Sequence, residues 1–172
     1  PERNVLLIGG EEIRVPEAGR IYVTGNVKKP GSFAVREGTE MTVLKALALG
    51  PSSLKAVFAG DGPLKLELER AAAALSISGR VIFRGWVDDD ALIDLYAGAL
   101  TTVYAPFDED FGYVTLESFL AKKPVITTVD AGGPLEFVRH GVNGLVTAAT
   151  PEAMAEALAA LEIDGEQWNR PL

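Results

Sequence analysis

From Ala56 onward the sequence alternates short apolar runs with longer segments of helical pattern: AVFAG, LKLELERAAAAL, RVIFRGWV, DDDALIDLYAGAL, TTVYAP, YVTLESFLAKK, PVITTV, PLEFVRHG, NGLVTA and PEAMAEALAAL. Strands that read as near-continuous apolar runs are buried on both faces, and a strand followed by a helix and another strand places the two strands parallel. The rhythm therefore predicts an α/β fold with a parallel sheet covered by helices on both sides. In open sheets of this kind ligands bind beyond the carboxyl ends of the strands. Functional residues are expected in the strand-to-helix loops.

Three of those loops carry chemistry. AGDGPL follows the first of these strands, FDEDFG follows TTVYAP, and DAGGPLE follows PVITTV. Glycines at such junctions let a backbone approach a ligand closely, and the helix N-terminus behind each loop offers unpaired N–H groups with partial positive charge. The shape suits a phosphate or diphosphate. In the second loop, Glu109 and Glu117 bracket a Phe-Gly step where the loop becomes a helix. Gly112 is expected to end the loop, with Glu109 before the helix and Glu117 in its first turns, both facing one crevice. A carboxylate there can accept two hydrogen bonds from neighbouring hydroxyls, as on a ribose or hexose ring. Spacing alone leaves a second reading open, in which Glu109 is a solvated loop acid and Glu117 a helix acid favoured by the macrodipole.

The run from Ala56 to Leu161 resembles the C-terminal, donor-binding domain of retaining GT-B glycosyltransferases. AGDGPL, RVIFRGWVDD, APFDEDFGYVTLESFLAKKPVI, AGGPLEFV and HGVNGLV occur in family order over about three fifths of the chain. The resemblance implies a Rossmann-like half of a GT-B fold and a nucleotide diphosphate sugar as donor, with no cofactor and no bound metal. It implies that Glu109 contacts hydroxyls of the donor sugar and is the residue closest to catalysis. The backbone around Phe111 and Gly112 would approach the sugar and phosphates, and Glu117 would hold the ribose. Gly60 and Gly62 would line the crevice, and Gly85, Trp86 and Val87 would face the base. In that family the domain begins with a further strand and helix whose Arg and Lys neutralise the departing diphosphate. That segment is expected to be absent before Lys55, and the acceptor-binding domain or chain to lie elsewhere.

The first piece differs in texture. Residues 1–53 carry seven basic and six acidic side chains, for +1, whereas residues 54–172 carry nine basic and eighteen acidic, for −9. RIYVTGNV followed by KKPGSFAV, with Pro30-Gly31 suited to a type II turn, reads as a hairpin, and Thr42 precedes a short helical pattern that stops at Gly50-Pro51. Residues 9–50, which contain GEEIRVPEAGRIYVTGNVKKPGSFAV and MTVLKALALG, resemble part of a soluble ligand-binding β-grasp (SLBB) domain of polysaccharide export proteins. The expected organisation is a partial β-grasp-like segment at 1–53, the transferase-like domain at 54–161 and a tail at 162–172. The rival function is a non-enzymatic polysaccharide export or binding module with a vestigial α/β part, or a chimeric fragment joined near Pro51 to Lys55. The transferase resemblance implies the cytoplasm; the export resemblance implies the periplasm.

Composition excludes several classes. A net charge of −8 opposes general phosphate-backbone binding, so nucleic acid is not an expected partner. The chain has no cysteine, hence no disulfide framework. No run approaches the roughly 18 apolar residues of a membrane span, and PERNVLLIGG lacks the pattern of a signal peptide. AGDGP has no third glycine where a dinucleotide fingerprint needs one. Asp88, Asp89 and Asp90 suit a helix cap better than a metal site. His140, in RHGVNG, reads as a turn residue rather than a general base, and Lys122-Lys123 as cations at a helix end. Trp86 could stack on a base or pack locally.

Overall fold

A computed structural model describes residues 20–24, as backbone, and 42–163. Among the described residues six parallel strands form one sheet: β1 (Arg20–Thr24), β2 (Lys55–Ala59), β3 (Val81–Gly85), β4 (Thr101–Val103), β5 (Val125–Thr128) and β6 (Gly144–Thr147). Their spatial order is β3-β2-β1-β4-β5-β6. The chain fills one side of the sheet from β1 to β3, then crosses back and fills the other from β4 to β6. Strand order therefore reverses between β1 and β4, and the crevice beyond their carboxyl ends is where an open α/β sheet takes its ligand.

The helices are α1 (Thr42–Leu49), α2 (Lys65–Ala74), α3 (Asp89–Ala97), α4 (Tyr113–Leu120), α5 (Pro134–Phe137) and α6 (Pro151–Ile163). Alternation along β2 sorts them onto two faces. Ala56 and Phe58 join a core with Leu44 and Leu47 of α1, Ala72 of α2, and Met154, Leu158 and Leu161 of α6. Val57 and Ala59 point the other way, against Leu95 of α3. Strand β5 is buried along its whole length, which is why it reads as a continuous VITT without alternation.

The predicted strands and helices from Ala56 onward all form. The reading of the first piece needs correction. Arg20–Thr24 is a strand, but it lies in the middle of the main sheet, parallel to β2 from Arg20 opposite Lys55 to Thr24 opposite Ala59, and parallel to β4 on its other edge. The second arm of the expected hairpin lies outside the described residues. The strand and helix expected to be absent before Lys55 are present as β1 and α1. The expected boundary between residues 53 and 54 does not separate two bodies. Leu54 is fully buried in the same core as Leu44, Ala46 and Leu47. Arg80 fastens this junction: its guanidinium donates to the carbonyls of Leu47 at 2.7 Å, Pro51 at 2.7 Å and Leu54 at 2.9 Å. Ser53 also meets Glu162 near the end of α6. Gly50-Pro51 stops a helix, as predicted, but a helix stop followed by a buried leucine is a turn inside a domain. The tail likewise begins later than expected, because Glu162 and Ile163 complete α6.

Candidate functional site

The loop after β4 and the helix after it place the two glutamates as the spacing predicted. Gly112 is the N-cap of α4 with φ of +80°, a conformation that disfavours any side chain. A Cβ there would also stand 2.8 Å from Cγ of Pro134 and 3.1 Å from Cε1 of Tyr104. The chain turns sharply under Tyr104, leaving Glu109 half-buried before the helix and Glu117 half-buried one turn inside it.

Tyr104 reports on both carboxylates. Its phenol is pushed up to about 12, first by burial, then by the charge of Glu109 and its hydrogen bond to that side chain, and also by the charge of Glu117. The two glutamates therefore flank a single phenol that stays neutral and able to donate. Glu117 has a second tyrosine partner, since the hydroxyl of Tyr96 donates to its Oε2 at 2.9 Å.

The loop carrying Glu109 is tied along its backbone to the loop after β5. Asp108 N donates to Asp130 O at 2.9 Å, Glu109 N to Ala131 O at 3.0 Å, and Gly133 N to Glu109 O at 2.6 Å. Gly132 and Gly133 make this approach possible. A Cβ on Gly132 would lie 2.6 Å from Glu109 O, and one on Gly133 would lie 2.6 Å from Cα of Phe111. The sequence reading gave these glycines a ligand to approach; what they approach is the neighbouring loop. Phe111 turns its ring into an aromatic group with Tyr113, 4.8 Å between centroids, and Phe137, at 5.1 Å.

The loops after β2 and β3 are more open. Gly60 N donates to Gly85 O at 2.8 Å, which joins their ends. Gly62 is exposed, and a Cβ there would touch nothing within 4 Å. Trp86 is 80% exposed, so it does not pack locally as one reading allowed. With Val87 it lines a concavity of about 450 Å³ beside α3, shared with Arg84, Asp88, Ala91, Asp94 and Leu95. Neither glutamate lines that hollow. The candidate site is thus an extended edge, with glutamates at the strand-order reversal and an exposed indole on the far side of the sheet.

The remaining residues take structural roles. Asp88 caps α3 by accepting from Ala91 N at 2.9 Å, and among the described residues no group of three potential ligands is placed to hold a metal. His140 accepts from Val146 N through Nδ1 at 3.1 Å, a turn contact. Lys123 follows the end of α4, with its backbone N bonded to Ser118 O at 2.9 Å. No described helix is long and apolar enough to cross a membrane. Sequence reasoning missed Tyr104 and Tyr96. An aromatic directly after an apolar strand, as in TTVYAP, was an available signal for the first. The second sits in an ordinary helical pattern with nothing to mark it.

With the reversal of strand order and the two glutamates in place, relatives can be compared. Residues 40–171 match the family described as glycosyl transferases group 1, and the chain belongs to that family. It is 34% identical over 149 residues to the lipopolysaccharide core biosynthesis glycosyltransferase LpsE of Rhizobium meliloti, covering 84% of this chain and 41% of that protein. The structure of Anabaena HepE in complex with UDP and glucose superposes with a TM-score of 0.75 and 25% identity, covering 89% of this chain and 41% of that one. Sucrose-phosphate synthase from Thermosynechococcus elongatus gives a TM-score of 0.73 at 26% identity, covering 91% and 39%. The chain thus spans about two fifths of the length of these relatives, and corresponds to the Rossmann-like half of a GT-B fold. The family match enters the first piece at residue 40, and strand β1 occupies the centre of the transferase sheet; a separate SLBB domain has no support.

Proposed function

We propose that this chain binds a nucleotide diphosphate sugar for glycosyl transfer with retention at the anomeric carbon, in the synthesis of a bacterial surface polysaccharide. The observation that carries the reading is the pair of half-buried carboxylates flanking Tyr104 at the reversal of strand order. Glu117 accepts the ribose hydroxyls, Glu109 accepts hydroxyls of the donor sugar, and the backbone at Phe111 and Gly112 lies toward the sugar and phosphates. Gly60 and Gly62 border the crevice; Gly85, Trp86 and Val87 take the base, for which the exposed indole is a stacking surface. Such a donor suits a cytoplasmic site of action.

The expected shortage of cations loses its original ground, because β1 is present and the sequence leaving it carries Lys28, Lys29 and Arg36, outside the described residues. Transfer still requires an acceptor held against the anomeric carbon, and such positioning can account for roughly 7–11 kcal/mol of a barrier. We expect donor binding by this chain and transfer only with a facing acceptor domain or chain. Calorimetric titration with UDP- and GDP-sugars tests the donor assignment. Glu117→Ala is expected to weaken binding by roughly 1.5–3 kcal/mol, the worth of a charged hydrogen-bond acceptor. Equal affinity of parent and variant for every donor tried would overturn it.

A further inference from the structure

Tyr96 stands in the last turn of α3 and is 3% exposed. Its hydroxyl reaches across to α4 and donates to Oε2 of Glu117 at 2.9 Å. A buried phenol needs a partner, yet this one meets a half-buried carboxylate on another helix, at the crevice where the donor is read to bind. We infer that Tyr96 is a positioning residue for ribose recognition, fixing the Glu117 carboxylate so that its remaining lone pairs face the two ribose hydroxyls.

A carboxylate offers about four lone-pair sites on its two oxygens. Tyr96 uses one on Oε2, and among the described residues Oε1 has no hydrogen-bond partner. What remains is one lone-pair site on Oε2 and two on Oε1, so each oxygen can still accept from one of the adjacent 2′ and 3′ hydroxyls. The second anchor matters because a glutamate side chain has three rotatable bonds and would otherwise lose that freedom only on binding ligand. Tyr96 belongs to the connection after β3, the strand whose end is read to take the base, while Glu117 belongs to the connection after β4. The hydrogen bond therefore also ties the ribose acceptor to the base side of the crevice.

The inference rests on the assignment of Glu117 to the ribose, and the test separates the two. UDP and GDP, each with its 2′,3′-dideoxy analogue, are titrated into the parent chain, Tyr96→Phe, and a variant with p-aminophenylalanine at position 96, which keeps a donor on the ring. Thermal unfolding of each variant is followed alongside. The parent is expected to prefer the ribonucleotide. Tyr96→Phe is expected to weaken ribonucleotide binding by about 2–10-fold, the worth of one hydrogen bond, and to leave the dideoxy analogue unchanged. The p-aminophenylalanine variant should keep the parent's preference, and it carries the test should Tyr96→Phe fold poorly. If the parent binds both analogues alike, the ribose assignment falls and the inference with it. If the parent discriminates but Tyr96→Phe discriminates equally, or loses both ligands equally, or if the amino variant stays folded and loses the preference, only the role of Tyr96 is overturned.

Discussion

The two halves of the sheet carry glycine-containing loops at the same edge, and the glycines do opposite things. After β4 and β5 the loops are bonded together backbone to backbone, and Gly132 and Gly133 sit where a Cβ would collide with Glu109 and Phe111. After β2 and β3 the backbone bond from Gly60 N to Gly85 O joins the strand ends, but beyond it Gly62 faces open space and Trp86 is left in solvent. The tight half holds a carboxylate in place; the open half leaves its glycine and indole in solvent. A glycine in a strand-to-helix loop thus has two physical meanings, close packing of protein on protein or open access, and only the neighbouring loop distinguishes them.

Gly133→Ala should break the tight half. Overpacking at this contact is expected to cost about 1–3 kcal/mol, read as a lower urea midpoint, and to displace Glu109 so that donor-sugar binding weakens as well. Unchanged stability would show that the loops separate without cost and would remove the basis of the contrast.

The phenol of Tyr104 sharpens the same contrast through pH. Its folded value of about 12 lies above the ordinary value near 10, so the folded chain holds this proton more tightly than the unfolded one. The associated stability is fully present below about pH 10 and is lost as pH rises through 12. Absorbance titration of the phenolates in the folded chain should show a late-titrating component that loses one phenol in Tyr104→Phe and moves toward the ordinary range in Glu109→Gln. A late phenol that ignores Glu109 would show that the two side chains are not paired.

On the open half the effects are smaller. Asp88→Ala removes the side chain that caps α3 and is expected to cost about 1 kcal/mol, measured by denaturation, with no change in the titration of Tyr104. Gly62→Ala is expected to shift stability by less than about 0.5 kcal/mol, since the added methyl meets nothing within 4 Å. A loss there as large as that of Gly133→Ala would erase the difference between the halves.

Local pattern alone determined much of this protein. The succession of segments after Ala56 specified the strands and helices, because strands buried on both faces read as short continuous apolar runs and the helices covering them as apolar stripes with a period of 3.6. The positions of Glu109 before α4 and Glu117 within it followed from Gly112, as did the cap at Asp88 from the run of acids ahead of an apolar helix. Tertiary structure decided what sequence distance conceals. Arg20–Thr24 has the composition of any strand, and whether it pairs in a hairpin or enters a sheet between residues 55–59 and 101–103 depends on partners far along the chain. Pro51 to Leu54 looked like a join because the text changes there, but burial of Leu54 and the reach of Arg80 make it an interior turn. The hydrogen bond from Tyr96 to Glu117 spans two helices, and the collision that reserves Gly132 and Gly133 for glycine involves a loop more than twenty residues earlier. Neither contact repeats along the chain with a period, so neither leaves a local mark, and both exist only once parallel packing brings the ends of β3, β4 and β5 to one edge.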